Sequence, residues 1–64
     1  MTLNQFNNLT SGRRVRLAGS TETGIIIAKS KYVTSALVRW TGGDVAWEEY
    51  YRLELADNQQ NENG

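Results

Sequence analysis

The run Ser35-Ala36-Leu37-Val38-Arg39-Trp40-Thr41-Gly42-Gly43-Asp44-Val45-Ala46-Trp47-Glu48 decides the fold. Its first six residues alternate, with Ala36, Val38 and Trp40 on one side and Leu37 and Arg39 on the other. That is the period-two pattern of a half-buried strand. Thr41–Asp44 reads as a tight hairpin turn, in which Gly42 and Gly43 supply the positive φ that primed turns require. Val45–Glu48 is then the return strand. One hairpin is marginal in water, so further strands must lie beside it.

The flanking sequence supplies them. Arg13-Arg14-Val15-Arg16-Leu17 alternates, Val15 and Leu17 opposing Arg14 and Arg16. Gly24–Lys31 holds the β-branched run Ile25-Ile26-Ile27, apolar on both faces and therefore expected at the centre of a sheet. A 3₁₀ turn is expected within Glu48–Tyr51, before a last short strand at Arg52–Leu55 that buries Leu53 and Leu55. Ahead of the strands, Leu3, Phe6 and Leu9 recur every third residue, with Thr2 as a candidate N-cap. Three segments are thus predicted: a helical lid at 1–11, a β domain at 12–55 and a disordered polar tail at 56–64. Five short strands with tight turns indicate an all-β barrel, closure removing unpaired edges. The expected core is Leu9, Val15, Leu17, Ile25, Ile27, Val38, Leu53 and Leu55, with one of the two Trp.

Composition narrows the function. The 64 residues include no Cys, His or Pro. Disulfides and a zinc site are excluded, so no metal or cofactor is expected. A core this small is marginal without such staples, which favours a partner or self-association. The longest apolar run, Ile25–Ala28, is far too short to cross a bilayer, and no charged-then-apolar leader opens the sequence. A cytoplasmic setting and no membrane association are expected. Without His, and with Glu48 and Glu49 adjacent and pointing apart, no acid–base pair or activated nucleophile is in view, so the chain is read as a non-enzyme. The net charge is zero but segregated. Residues 1–43 carry Arg13, Arg14, Arg16, Lys29, Lys31 and Arg39 against Glu22 alone. Residues 44–64 carry Arg52 against six carboxylates.

Gly12-Arg13-Arg14-Val15-Arg16-Leu17, Thr23-Gly24-Ile25-Ile26, Leu37-Val38-Arg39-Trp40-Thr41-Gly42-Gly43 and Trp47-Glu48-Glu49-Tyr50-Tyr51-Arg52-Leu53-Glu54, in that order, resemble the SH3-like barrel in its Tudor and KOW-type form. The resemblance spans residues 12–55 and rests on turns and core positions. It implies a five-stranded SH3-like barrel with a short N-terminal helix, of the kind found as small bacterial or mobile-element accessory domains. The type II dihydrofolate reductases share this layout, but their Val-Gln-Ile-Tyr segment corresponds here to Val45-Ala46-Trp47-Glu48, so that activity is set aside.

Two surfaces are candidates for binding. Arg14, Arg16, Lys29, Lys31 and Arg39, with Tyr32 nearby, are expected to form one basic sheet face that contacts phosphates of DNA or RNA without reading sequence. The same charges would also serve merely to keep exposed strands soluble. The alternative is a protein-interaction or homo-oligomer surface built from Trp40, Trp47, Tyr50 and Tyr51 around the 41–44 hairpin, with Trp40 and Trp47 facing each other across it.

Overall fold

A computed structural model describes residues 1–56. Helix α1 (Leu3–Asn7) is followed by five strands, β1 (Arg14–Leu17), β2 (Thr23–Lys29), β3 (Ser35–Trp40), β4 (Val45–Glu49) and β5 (Leu53–Leu55), with a 3₁₀ turn at Tyr50–Arg52 between the last two. All pairings are antiparallel, in the order β4-β3-β2-β1-β5, so the triple-isoleucine strand is central. Among the described residues, no helix is long and apolar enough to cross a membrane.

The helix forms where its caps are. The Thr2 side chain accepts from the Gln5 N–H and the Gln5 side chain accepts from the Thr2 N–H, a reciprocal capping box. One turn and a half cannot stand alone; Phe6 and Leu9 hold it by entering the core. The expected lid is therefore part of the core itself. At the other end of the β domain, Ala56 is buried and donates its N–H to Arg14 O, so the folded body runs one residue beyond 55. The expected tail over 57–64 lies outside the described residues.

The inner face of the sheet carries Val15, Ile26, Ala36, Val38, Trp40 and Leu53, all buried. The expected core had Ile25 and Ile27 inside, and this is corrected: Ile26 is 1% exposed, Ile25 37% and Ile27 36%. Gly24 gives the reason. It sits opposite Val15 on one side and Trp40 on the other, so it shares their inward face. A Cβ there would fall 2.7 Å from Val38 Cγ1 and 2.8 Å from both Trp40 Cε3 and Arg39 O. Only glycine admits the Trp40 ring, and once Gly24 faces inward Ile26 must follow it. Leu17 and Leu55 pack at the margin of the core.

Placing Ile25 and Ile27 inside while Lys29 faced out required β2 to change face. It does, but in the opposite sense. Ile26 pairs with Val38 and Ala28 with Leu37, leaving Ile27 as the extra residue of a β-bulge. Beyond the bulge Lys29 pairs with Ala36 and lies on the inner side.

The hairpin turn is also corrected in detail. Gly43 N–H donates to Trp40 O and Trp40 N–H to Asp44 O, and of the two glycines only Gly43 has a positive φ, 102°. This is the three-residue loop that ends on a left-handed residue, rather than a primed two-residue turn.

The expected barrel closure is not present: β4 and β5 remain the two edges. Each is guarded in another way. β5 is only three residues long, and Glu48 on β4 pairs with Ala36 and so points to the inner side, where a charge resists edge-to-edge pairing.

Candidate binding face of the sheet

The outer face is laid out by the pairing register. One row crosses four strands as Arg14, Ile25, Arg39 and Val45. The next holds Leu37 beside Trp47, and the one after holds Ser35 beside Glu49. Ile25, Val45 and Trp47 are exposed, Trp47 at 55%, and Leu37 is half-buried between them. A depression of about 190 Å³ lined by Ser30, Val33, Ser35 and Trp47 opens beside the Trp47 ring. The Ser35 hydroxyl donates to Glu49 Oε2 at 2.9 Å, which fixes that carboxylate at the lower end of the face.

The expected basic plateau divides. Arg14, Arg16 and Arg39 do share the outer face, and Arg14 and Arg39 flank Ile25 in one row. Arg16, however, pairs with Glu54 on β5, Nη2 to Oε1 at 2.9 Å, both side chains partly exposed. A surface pair of this kind stabilises by about 0–1 kcal/mol and mainly neutralises the Arg16 charge. Lys31 and Tyr32 lie in the bend after β2, both exposed, Tyr32 almost fully. Arg14, Lys31 and Arg39 have no carboxylate within ion-pair distance among the described residues.

Lys29 does not belong to the plateau, because the bulge turns it to the helix side. Its Nζ donates to Phe6 O at 2.9 Å and Asn7 O at 3.3 Å, and stands 5.0 Å from the centre of the Phe6 ring. It caps the carbonyl end of α1 and covers an aromatic ring, a structural task. Lys29→Met is accordingly expected to lower stability by about 1 kcal/mol, read by urea denaturation, while leaving association through the outer face unchanged.

The aromatic set divides too. Trp40 and Trp47 do not face each other: Trp40 pairs with Gly24 and is 5% exposed, whereas Trp47 pairs with Leu37 on the other side of the sheet. They stand an odd number of positions from register, so alternation sends them to opposite faces. Tyr50 packs on the core, its ring 6.1 Å from that of Phe6, and Tyr51 meets Tyr50 edge-on at 5.7 Å while remaining exposed. Of the four, Trp47 alone lies on the Arg14–Arg39 face.

What sequence reading missed is that Ile25 and Val45 join Leu37 and Arg39 on this surface. The signal was Gly24, whose inward facing fixes the parity of β2. A second hollow, of about 320 Å³, lies between α1 and the start of β1, but its charged member Arg13 is already bonded through Nη1 to Ala56 O at 2.8 Å. The outer face thus offers apolar area, one exposed indole and two guanidinium groups, with carboxylates at its ends. Compared with known proteins, the chain matches no family model, no curated protein and no solved structure.

Proposed function

We propose that this is a non-catalytic binding module whose outer sheet face docks on protein. The observation that carries this reading is the row Arg14–Ile25–Arg39–Val45 lying directly beside Leu37 and Trp47. Trp and Arg around an apolar centre are the side chains that dominate protein–protein affinity. Exposed apolar side chains grouped on one face mark interaction surfaces more often than scattered ones do. The strand order β4-β3-β2-β1-β5 and the 3₁₀ turn before the last strand support kinship with the SH3-like barrels of the Tudor and KOW type. A chain without cysteine suits a reducing, cytoplasmic setting.

The test is a photo-crosslinking side chain placed at position 47, with the full chain irradiated in the cells that make it. A discrete protein adduct, persisting at high salt and lost in Arg14→Glu/Arg39→Glu, is the expected result. Adducts to nucleic acid alone, or none, would contradict it.

A second reading is contact with nucleic-acid phosphates, favoured by Arg14 and Arg39 standing in one row without a carboxylate partner among the described residues. Titration with single- and double-stranded DNA at two salt concentrations separates the two. Phosphate binding weakens steeply with salt, whereas a Trp-anchored protein contact does not.

A further inference from the structure

We propose that the occupant of the outer face is a second copy of this chain, packed face to face about a two-fold axis that runs along the Leu37–Trp47 row. The proposal rests on the reading of that face as a protein-docking surface and names its partner.

The face is self-complementary in charge. Above the Leu37–Trp47 row stands Arg39 beside Val45, and below it Ser35 beside Glu49. A two-fold axis along the middle row lays the upper row of one copy over the lower row of the other. Arg39 then comes opposite Ser35 of the second copy, one strand to the side of that copy's Glu49, and the same contact recurs on the far side of the axis, as an isologous interface demands. The Ser35 hydroxyl already holds Glu49 Oε2, which leaves Oε1 to receive the guanidinium. Packed sheets stand about 10 Å apart, a span that an extended Arg and a Glu bridge together.

Within one chain the two groups cannot meet in this way. Arg39 and the Ser35–Glu49 row are four residues apart along β3, about 13 Å. The charge pair is therefore available between copies and not inside one.

The depression lined by Ser30, Val33, Ser35 and Trp47, about 190 Å³, opens on the same face beside the axis row. Trp47 itself lies on the axis and covers its own counterpart. The net charge of zero removes the long-range repulsion that would oppose self-association. A chain of 64 residues without disulfide or zinc ligands also gains most from a second hydrophobic layer.

Sedimentation equilibrium of the full chain, from about 10 μM to 1 mM, tests this with Trp47→Ser, Arg39→Glu, Glu49→Arg and the double reversal, each first shown folded by circular dichroism. The wild type is expected to pass from monomer to dimer. Trp47→Ser and either single reversal should weaken the dimer about tenfold or more, and the double reversal should restore it to within about threefold of wild type. A chain monomeric throughout, a dimer indifferent to Trp47→Ser, or a double reversal no better than the singles would overturn the proposal. A monomeric chain that still gives a discrete adduct to a different protein from position 47 overturns the homodimer and leaves the docking surface standing. A monomeric chain with no adduct removes both.

Discussion

Gly24→Ala should cost about 3 kcal/mol of folding stability, and Gly24→Val should leave the chain unfolded. A domain of this length holds only roughly 3–10 kcal/mol in total. The added Cβ would meet Val38 Cγ1 at 2.7 Å and, at 2.8 Å, the Arg39 carbonyl oxygen and Trp40 Cε3. Two of those neighbours are buried side chains in the centre of the sheet, and the third is backbone in its hydrogen-bonded ladder. None is the free end of a flexible chain that could swing aside. Urea denaturation followed by circular dichroism reads the loss. An alanine variant as stable as wild type would mean that Trp40 does not lie over Gly24, and the facing of β2 would have to be reversed.

The two tryptophans should respond to truncation in opposite ways. Trp40→Ala empties a buried site between Gly24 and the inner face, and a buried Trp or Phe cut to Ala costs about 3–5 kcal/mol, enough to unfold much of the population. Trp47→Ala removes a ring that is 55% exposed and touches the sheet on its outer side only. It should lower stability by less than about 1 kcal/mol and yet weaken association through the outer face about tenfold or more. Denaturation midpoints, together with sedimentation, check both halves. Equal destabilisation by the two variants would put both indoles in the core and remove the exposed anchor of the binding face.

Much of the fold was legible in residue order because each signal was local. The alternation in Ser35–Trp40, the glycines before Asp44 and Thr2 ahead of the Leu3–Phe6–Leu9 spacing gave a strand, a turn and a cap where they occur. The central place of β2 followed from the same kind of pattern, whereas the strand expected to run to Lys31 ends at Lys29 and the 3₁₀ turn takes Arg52 from the start of the last strand. The facing of β2 did not. Three consecutive isoleucines carry no alternation, so either parity buries isoleucine, Ile25 and Ile27 in one and Ile26 in the other. The choice is made by a non-local event, the closing of Trp40 over Gly24, with the bulge at Ile27 then turning Lys29 over.

The candidate site inherited that ambiguity. Arg14, Arg16 and Arg39 could be grouped from alternation within their own strands, and they do share a face. Lys29 was assigned to them across a bulge that composition does not announce. Pairing of Arg16 with Glu54 depends on β5 lying next to β1, a contact between residues 38 positions apart. Barrel closure was expected as the remedy for exposed edges, whereas an inward Glu48 and a three-residue β5 meet the same need locally.

Solvent paramagnetic relaxation, recorded by NMR on dilute methyl- and indole-labelled protein with a soluble gadolinium chelate, tests most directly how the sheet sorts its side chains. Ile25, Val45 and the Trp47 indole should relax fast, while Ile26 and the Trp40 indole should be shielded. Ile26 relaxing as fast as Ile25, or Trp47 as well shielded as Trp40 in the monomer, would contradict the facing on which the binding surface depends.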